Sequence, residues 1–119
     1  MRTHKDLDAW KLSVEFVTEV YKITRNFPKE ELFGLSNQLR RAAVSVPSNI
    51  AEGAARQTAK EFIQFLYIAL GSLQEADTQL LIAKNLGFLT LQRFQNLITD
   101  ADKIGKMLNG LIKYLKEKN

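Results

Sequence analysis

A chain of 119 residues is one domain's worth, and at that size about two-thirds of the unfolded chain's surface can be buried, enough for a core without metal or disulfide staples. It contains no cysteine, which excludes a disulfide framework, a thiol nucleophile and any thiolate metal site, and suits a reducing compartment. No run approaches the ~18 apolar residues of a membrane span and no apolar signal-peptide core opens the chain, so the expectation is a soluble, cytoplasmic protein without a membrane partner. The net charge of +4 is unevenly spread: residues 32–60 carry four positive groups against one negative and residues 91–119 six against three, whereas residues 1–31 are balanced and residues 61–90 acidic.

Residues 7–27 follow helical spacing, with Asp6 or Asp8 available as the N-cap and Pro28 as the stop, because the residue before a proline is pushed out of the α region. Ser36 is placed to cap a second helix reaching about Arg56, and Pro47 is expected to kink it near Ser45 or Val46 through its missing N–H and its ring clash. Thr58 followed by Glu61 is a capping-box pattern for a third helix, which meets no breaker before Gly87, the expected left-handed residue beyond its end. Thr90 caps a fourth helix running to about Lys116, with Leu89 and Phe94 at the staple positions on either side of the cap. No stretch alternates with period two and the connections are short. The predicted fold is therefore all-α: a single domain over residues 1–119, an up-down antiparallel four-helix bundle with its second helix kinked at Pro47.

At roughly 100° per residue, the first helix carries Leu7, Trp10, Val14, Val17 and Tyr21 on one face and Leu12, Phe16, Val20, Ile23 and Phe27 on the nearly opposite one. The third helix has a core stripe of Phe62, Phe65, Leu66, Ala69, Leu73, Ala76, Leu80 and Ala83, with Ile68 and Ile82 on its other side. A bundle uses one face of each helix, and a second apolar face is a liability in a monomer. Homo-oligomerisation is the expectation, with Leu12, Phe16, Val20, Ile23, Phe27, Ile68 and Ile82 as interface candidates. The alternative is a deep core partly wrapped by the N-terminal segment and the loop around Phe33.

The densest pattern is FPKEELFGLSNQLRRAAVSVPSNIAEG, residues 27–53. Within it Gln38, Arg41, Ser45, Asn49 and Glu52 recur at helical steps and form a polar stripe beside the apolar Leu39, Ala42, Val46 and Ile50. A solvated face would be built of Lys and Glu; Ser, Asn and Gln instead fit a hydrogen-bonded, partly buried surface. Two readings stand: a polar network in which Arg41 pairs with Glu52 or with a neighbour's carboxylate, or a contact surface for a ligand or nucleic acid. Catalysis by Glu52 lacks support, since a general acid or base needs a partner and the motif holds no second carboxylate or histidine. His4 is the one histidine, so neither a triad nor a histidine metal cluster can be built within a chain. The glycines are too scattered to cradle a nucleotide. Neither metal nor cofactor is expected.

The fourth helix separates Ala101, Ile104, Leu108, Leu111 and Leu115 from Lys103, Lys106, Lys113 and Lys116. A lysine face is most often simply a solvated face. Repeated around an oligomer it becomes an extended positive surface, and phosphate attraction sums over contacts. With Arg40, Arg41, Arg56 and Lys60, these lysines are the candidates for binding RNA or DNA. The sequence shows no interleaving of arginine with aromatic residues, so such binding should be weakly sequence-specific.

The blocks LDAW (residues 7–10), Tyr21, FPKEELFGL (27–35), QLRRAAVSVPSNIAEG (38–53) and KEFIQFLYIALGSLQEADTQL (60–80) together resemble the bacterial four helix bundle protein family, first noticed as products of intervening sequences within large-subunit ribosomal RNA genes. The resemblance covers nearly the whole chain. It implies a four-helix bundle that assembles into a ring, a pentamer, with no established enzymatic activity. It also implies kinship in fold with the accessory protein of diversity-generating retroelements, a basic pentamer that binds nucleic acid and a reverse transcriptase, although fold alone does not carry function. The function expected is a non-enzymatic, homo-oligomeric scaffold or accessory factor for RNA or a ribonucleoprotein. The alternative is an interaction protein whose ring recruits a partner protein and never touches nucleic acid.

Overall fold

The computed structural model describes Thr3, His4 and residues 7–118. Four helices, α1 (Asp8–Thr24), α2 (Leu35–Ala54), α3 (Ala59–Asn85) and α4 (Leu91–Lys118), account for most of them, with a 3-10 turn at Lys29–Glu31 between α1 and α2 and no strand among the described residues. Each helix packs on its neighbours in sequence and α4 closes back on α1, while the diagonal pairs α1–α3 and α2–α4 stand further apart across the shared core. This is an up-down antiparallel four-helix bundle, 47 × 24 × 19 Å. The α2–α3 seam is the densest and the α1–α4 seam the sparsest.

Local chemistry explains most of the helix ends. The Thr58 hydroxyl accepts from the Glu61 N–H at 3.1 Å and donates to the Glu61 carboxylate at 3.0 Å, fixing the start of α3. Its end is a Schellman motif: Gly87 sits at φ +79, its N–H reaches the Lys84 carbonyl, and the Phe88 N–H reaches the Ala83 carbonyl at 2.9 Å. Thr90 accepts from the Arg93 N–H at 3.2 Å at the head of α4, and Leu89 and Phe94 pack on the core on either side of it.

Two expected caps are corrected. Leu7, not an aspartate, is the N-cap of α1, with Asp8 already inside the first turn; Asp6 lies outside the described residues. Ser36 is buried within α2, whose head is held instead by the Glu31 carboxylate, which accepts from the Leu35 N–H at 3.1 Å. A carboxylate from the preceding turn serves better than a serine there, because it meets the positive end of the helix dipole as well as an unpaired N–H. α2 runs unbroken through Pro47, which is itself buried and whose missing N–H leaves the Ala43 carbonyl without its helical donor.

The core corrects the allocation of the two apolar faces of α1. Phe16, Val20, Ile23 and Phe27, expected at an oligomer interface, are buried within the single chain, Phe16 at 1% exposure, against Leu39, Val46, Ile50, Leu66, Leu80, Ile104 and Leu108. Leu12 is half-buried on the same side. Helical periodicity shows that two faces exist but not which turns inward; the face with two phenylalanines fills the bundle, and Phe27 packs at a tilt against Phe88, ring centres 5.5 Å apart, to close one end. The opposite face is left half-covered: Trp10 packs against His4 at 5.0 Å, Tyr21 lies beneath the Arg40 guanidinium, and Val14 is exposed. The loop around Phe33 wraps nothing, since that ring is 89% exposed. On α3 the core stripe is as expected except that Ile63 joins it and Phe65 is half-buried; on α4, Ile112 takes the place of Leu111.

Candidate nucleic-acid interface

The polar stripe of α2 does not form one continuous network. Ser45 and Asn49 form a network: the Asn49 amide donates to the Ser45 carbonyl at 2.8 Å and to its hydroxyl at 2.9 Å, and that hydroxyl lies 2.7 Å from the buried Ser72 hydroxyl of α3. Small polar residues stand here because α2 and α3 approach too closely for long ones. Gly53 marks the same constraint further down the helix, where an added Cβ would lie 2.7 Å from the Phe65 Cβ and 2.8 Å from a Phe62 ring carbon.

Glu52 stands outside that network. It is exposed and ion-paired at 2.8 Å with Arg56, one turn on, so the expected Arg41–Glu52 pair does not form. The reason is reach: eleven residues along a helix span about 16 Å, whereas the next turn offers a cation at once. Gln38 and Arg41 are also exposed, lining a cleft of about 290 Å³ with Ser45, Ser72, Glu75 and Gln79. Gln79 Oε1 in that cleft is the one buried side-chain acceptor without a hydrogen bond among the described residues.

The eight expected nucleic-acid contacts do not form one surface. Arg40 and Arg41 sit on α2, diagonally across the bundle from the α4 lysines, and Arg40 is committed to the fold: its Nε donates to the Thr24 hydroxyl at 2.8 Å and its guanidinium covers Tyr21 at 4.8 Å. Arg56 is occupied by Glu52 and by the face of Phe65. Lys103, Lys106 and Lys113, in contrast, are exposed on α4 with no hydrogen bond or ion pair among the described residues. Lys116 is exposed too, its ammonium donating to the Tyr67 hydroxyl at 3.0 Å. Lys60, exposed in the first turn of α3, falls at the end of the bundle where α4 finishes. α3 and α4 thus bring Lys60, Tyr67, Lys113 and Lys116 together at one end, a grouping hidden in the sequence because Tyr67 and Lys116 are 49 residues apart.

A groove on the sparse α1–α4 seam, about 460 Å³, has the opposite character: Glu15, Glu19 and Asp100 with Arg93 and Asn96 surround Leu12, Ile23 and Leu97. Among the described residues no group of His, Asp and Glu could hold a metal ion, and no helix is long and apolar enough to cross a membrane.

The family model described as 23S rRNA-intervening sequence protein matches residues 5–110. Among solved structures, a protein of unknown function from the S23 ribosomal protein family of Bacteroides thetaiotaomicron VPI-5482 is similar in fold, with a TM-score of 0.82 at 25% identity over 88% of this chain and 98% of that one. No curated protein matches.

Proposed function

This chain belongs to the 23S rRNA-intervening sequence protein family, and on that premise we propose that it is a non-enzymatic accessory factor, assembled from identical chains, that holds RNA or a ribonucleoprotein by its phosphates. The observation that carries the reading is the exposed row Lys103, Lys106, Lys113 and Lys116 on α4, the first three without a partner among the described residues. Unpaired ammonium groups on one rigid helix are free to displace the counterions of a polyanion, and each phosphate held adds to the salt dependence. Glu52, the carboxylate of the family motif, is a solvated ion pair, which suits a non-enzymatic reading. The exposed Val14, Tyr21 and Val44 on α1 and α2 and Ile68 and Ile82 on α3 favour assembly; a pentamer is the number that the family resemblance implies.

The test is a binding titration of mixed-sequence RNA, single- and double-stranded, between ~50 and ~200 mM salt, where phosphate-dominated binding falls steeply. Lys106→Glu with Lys113→Glu should weaken all sequences alike and flatten the salt slope by about one unit for each phosphate no longer held. No retention of any nucleic acid at ~50 mM salt defeats the reading. A second reading is favoured by the opposite end of the bundle, where Leu32 and Phe33 of the α1–α2 connection, Leu86 of the α3–α4 turn and Leu91 at the head of α4 are all exposed. Such an apolar end would dock a partner protein, and it is the reading that stands should nucleic acid fail to bind.

A further inference from the structure

Tyr67 is the feature of the basic end that a phosphate-binding role leaves unexplained. Its ring, on α3, is 49% exposed. Lys116 meets it at the tip: the ammonium lies 3.0 Å from the hydroxyl but 5.6 Å from the ring centre, so the contact leaves much of the ring face open. One turn further along α3, Gly71 presents bare backbone to open space, so no side chain overhangs the ring from that side. Beside it runs a cleft of about 370 Å³ lined by Asn109, Ile112, Lys113, Lys116 and Glu117 of α4. Lys60 lies two turns before Tyr67 on the same face of α3, and Lys106 two turns before Lys113 on α4. Positive charge therefore flanks an exposed aromatic ring on both sides.

Proteins that hold unpaired strands combine these two elements, cations that track the backbone and a ring on which a base stacks. A duplex hides its base faces and can use the lysines alone. We infer that the α3–α4 seam is a track for single-stranded RNA or DNA, in which one base stacks on Tyr67 while Lys113 and Lys116 take the flanking phosphates. The inference rests on the nucleic-acid reading above and adds to it a preference for unpaired over paired strands. Glu117, the one carboxylate in the cleft, opposes the phosphates and limits the affinity.

The experiment compares a labelled 12-nucleotide oligo(U) and oligo(dT) with a hairpin duplex, at fixed salt, on the unmodified protein, Tyr67→Leu and Tyr67→Phe, with circular dichroism to show that helicity is kept. Stacking makes Tyr67→Leu about tenfold weaker or more for both single strands, with duplex affinity and the salt slope unchanged. Tyr67→Phe keeps most of the single-strand affinity, since the ring remains. Glu117→Gln tightens binding of all three probes. Should RNA alone respond, the track reads the ribose as well as the base; should both respond, it reads base and phosphate only. Equal affinity for single and double strands, or a Tyr67→Leu protein that binds oligo(U) normally, overturns the inference while leaving phosphate binding intact. Absence of binding to every probe overturns both.

Discussion

At the level of single residues, the glycines show how a shared motif encodes packing. Gly53 closes QLRRAAVSVPSNIAEG because α2 and α3 nearly touch there: a Cβ would stand inside contact distance of both Phe62 and Phe65. Alanine should raise helix propensity by about 1 kcal/mol, yet the clash falls on a side chain and on the first turns of α3, where relief requires the helices to part. Overpacking of that kind typically costs ~1–3 kcal/mol, so Gly53→Ala should lower the denaturation midpoint. Gly71 is the control: nothing lies within 4 Å of its added Cβ, and Gly71→Ala should stabilise by about 0.5–1 kcal/mol. Chemical denaturation of the two variants decides the matter, because the same substitution must move stability in opposite directions. The polar stripe divides in the same way. Ser45→Ala leaves both Asn49 and Ser72 short of a partner and should cost ~1–2 kcal/mol. Glu52→Ala breaks only an exposed pair and should cost no more than about 0.5 kcal/mol. The sequence made this stripe legible as polar and partly buried, but spacing could not say which members reach across to α3, since that depends on Ser72 and on the closeness that Gly53 permits.

Among the helices, the ends of α3 and the head of α4 were legible because they rely on local chemistry: the Thr58 cap, the Gly87 left-handed turn and the Thr90 cap act within a few residues of themselves. What was not legible lies between elements. The Glu31 carboxylate caps α2 from a turn that helical periodicity does not mark. The α3–α4 seam holds another such feature: Asp77 is partly withdrawn from water and faces Asp102, and burial first, then the neighbouring carboxylate, raise its carboxyl above the ordinary 3.8. With the folded-state value above the unfolded one, the folded protein binds this proton more tightly. The contribution to stability is therefore fully present below 3.8 and is lost as pH rises through the folded value. At pH ~7 both states are ionised and the folded state carries the full penalty. Asp77→Asn should accordingly raise the melting temperature at neutral pH and give little or no gain in acid below the ordinary carboxylate range. Melts at the two pH values check this, and an equal shift at both would assign the effect to packing instead of charge.

For the whole molecule, the decisive question is which apolar surface is surplus. Two faces on α1 were visible in the sequence, but the choice between them is a property of four helices together, and the bundle took the one bearing Phe16 and Phe27. A charge at Phe16 would therefore sit in the core of a single chain. Burying an unpaired carboxylate costs several kcal/mol against a total stability of roughly 5–15 kcal/mol, so Phe16→Glu should lose helicity and not merely dissociate. The proposed assembly would instead use the apolar groups left outside, of which Ile68, beyond half exposed at 51%, is the clearest on α3, with Ile82 on the same helix and Val14, Tyr21 and Val44 on α1 and α2. Their exposure implies that Ile68→Glu puts its charge in water within one chain and in an interface within an assembly. Sedimentation at micromolar concentration should give several times the 13.6 kDa of one chain for the unmodified protein, and a smaller particle with undiminished helicity for Ile68→Glu or for Val14→Glu. A 13.6 kDa particle for the unmodified protein would defeat the assembly proposal. Assembly that survives charges at Ile68, Ile82, Val14 and Val44 alike would shift the contact to the exposed end at Phe33.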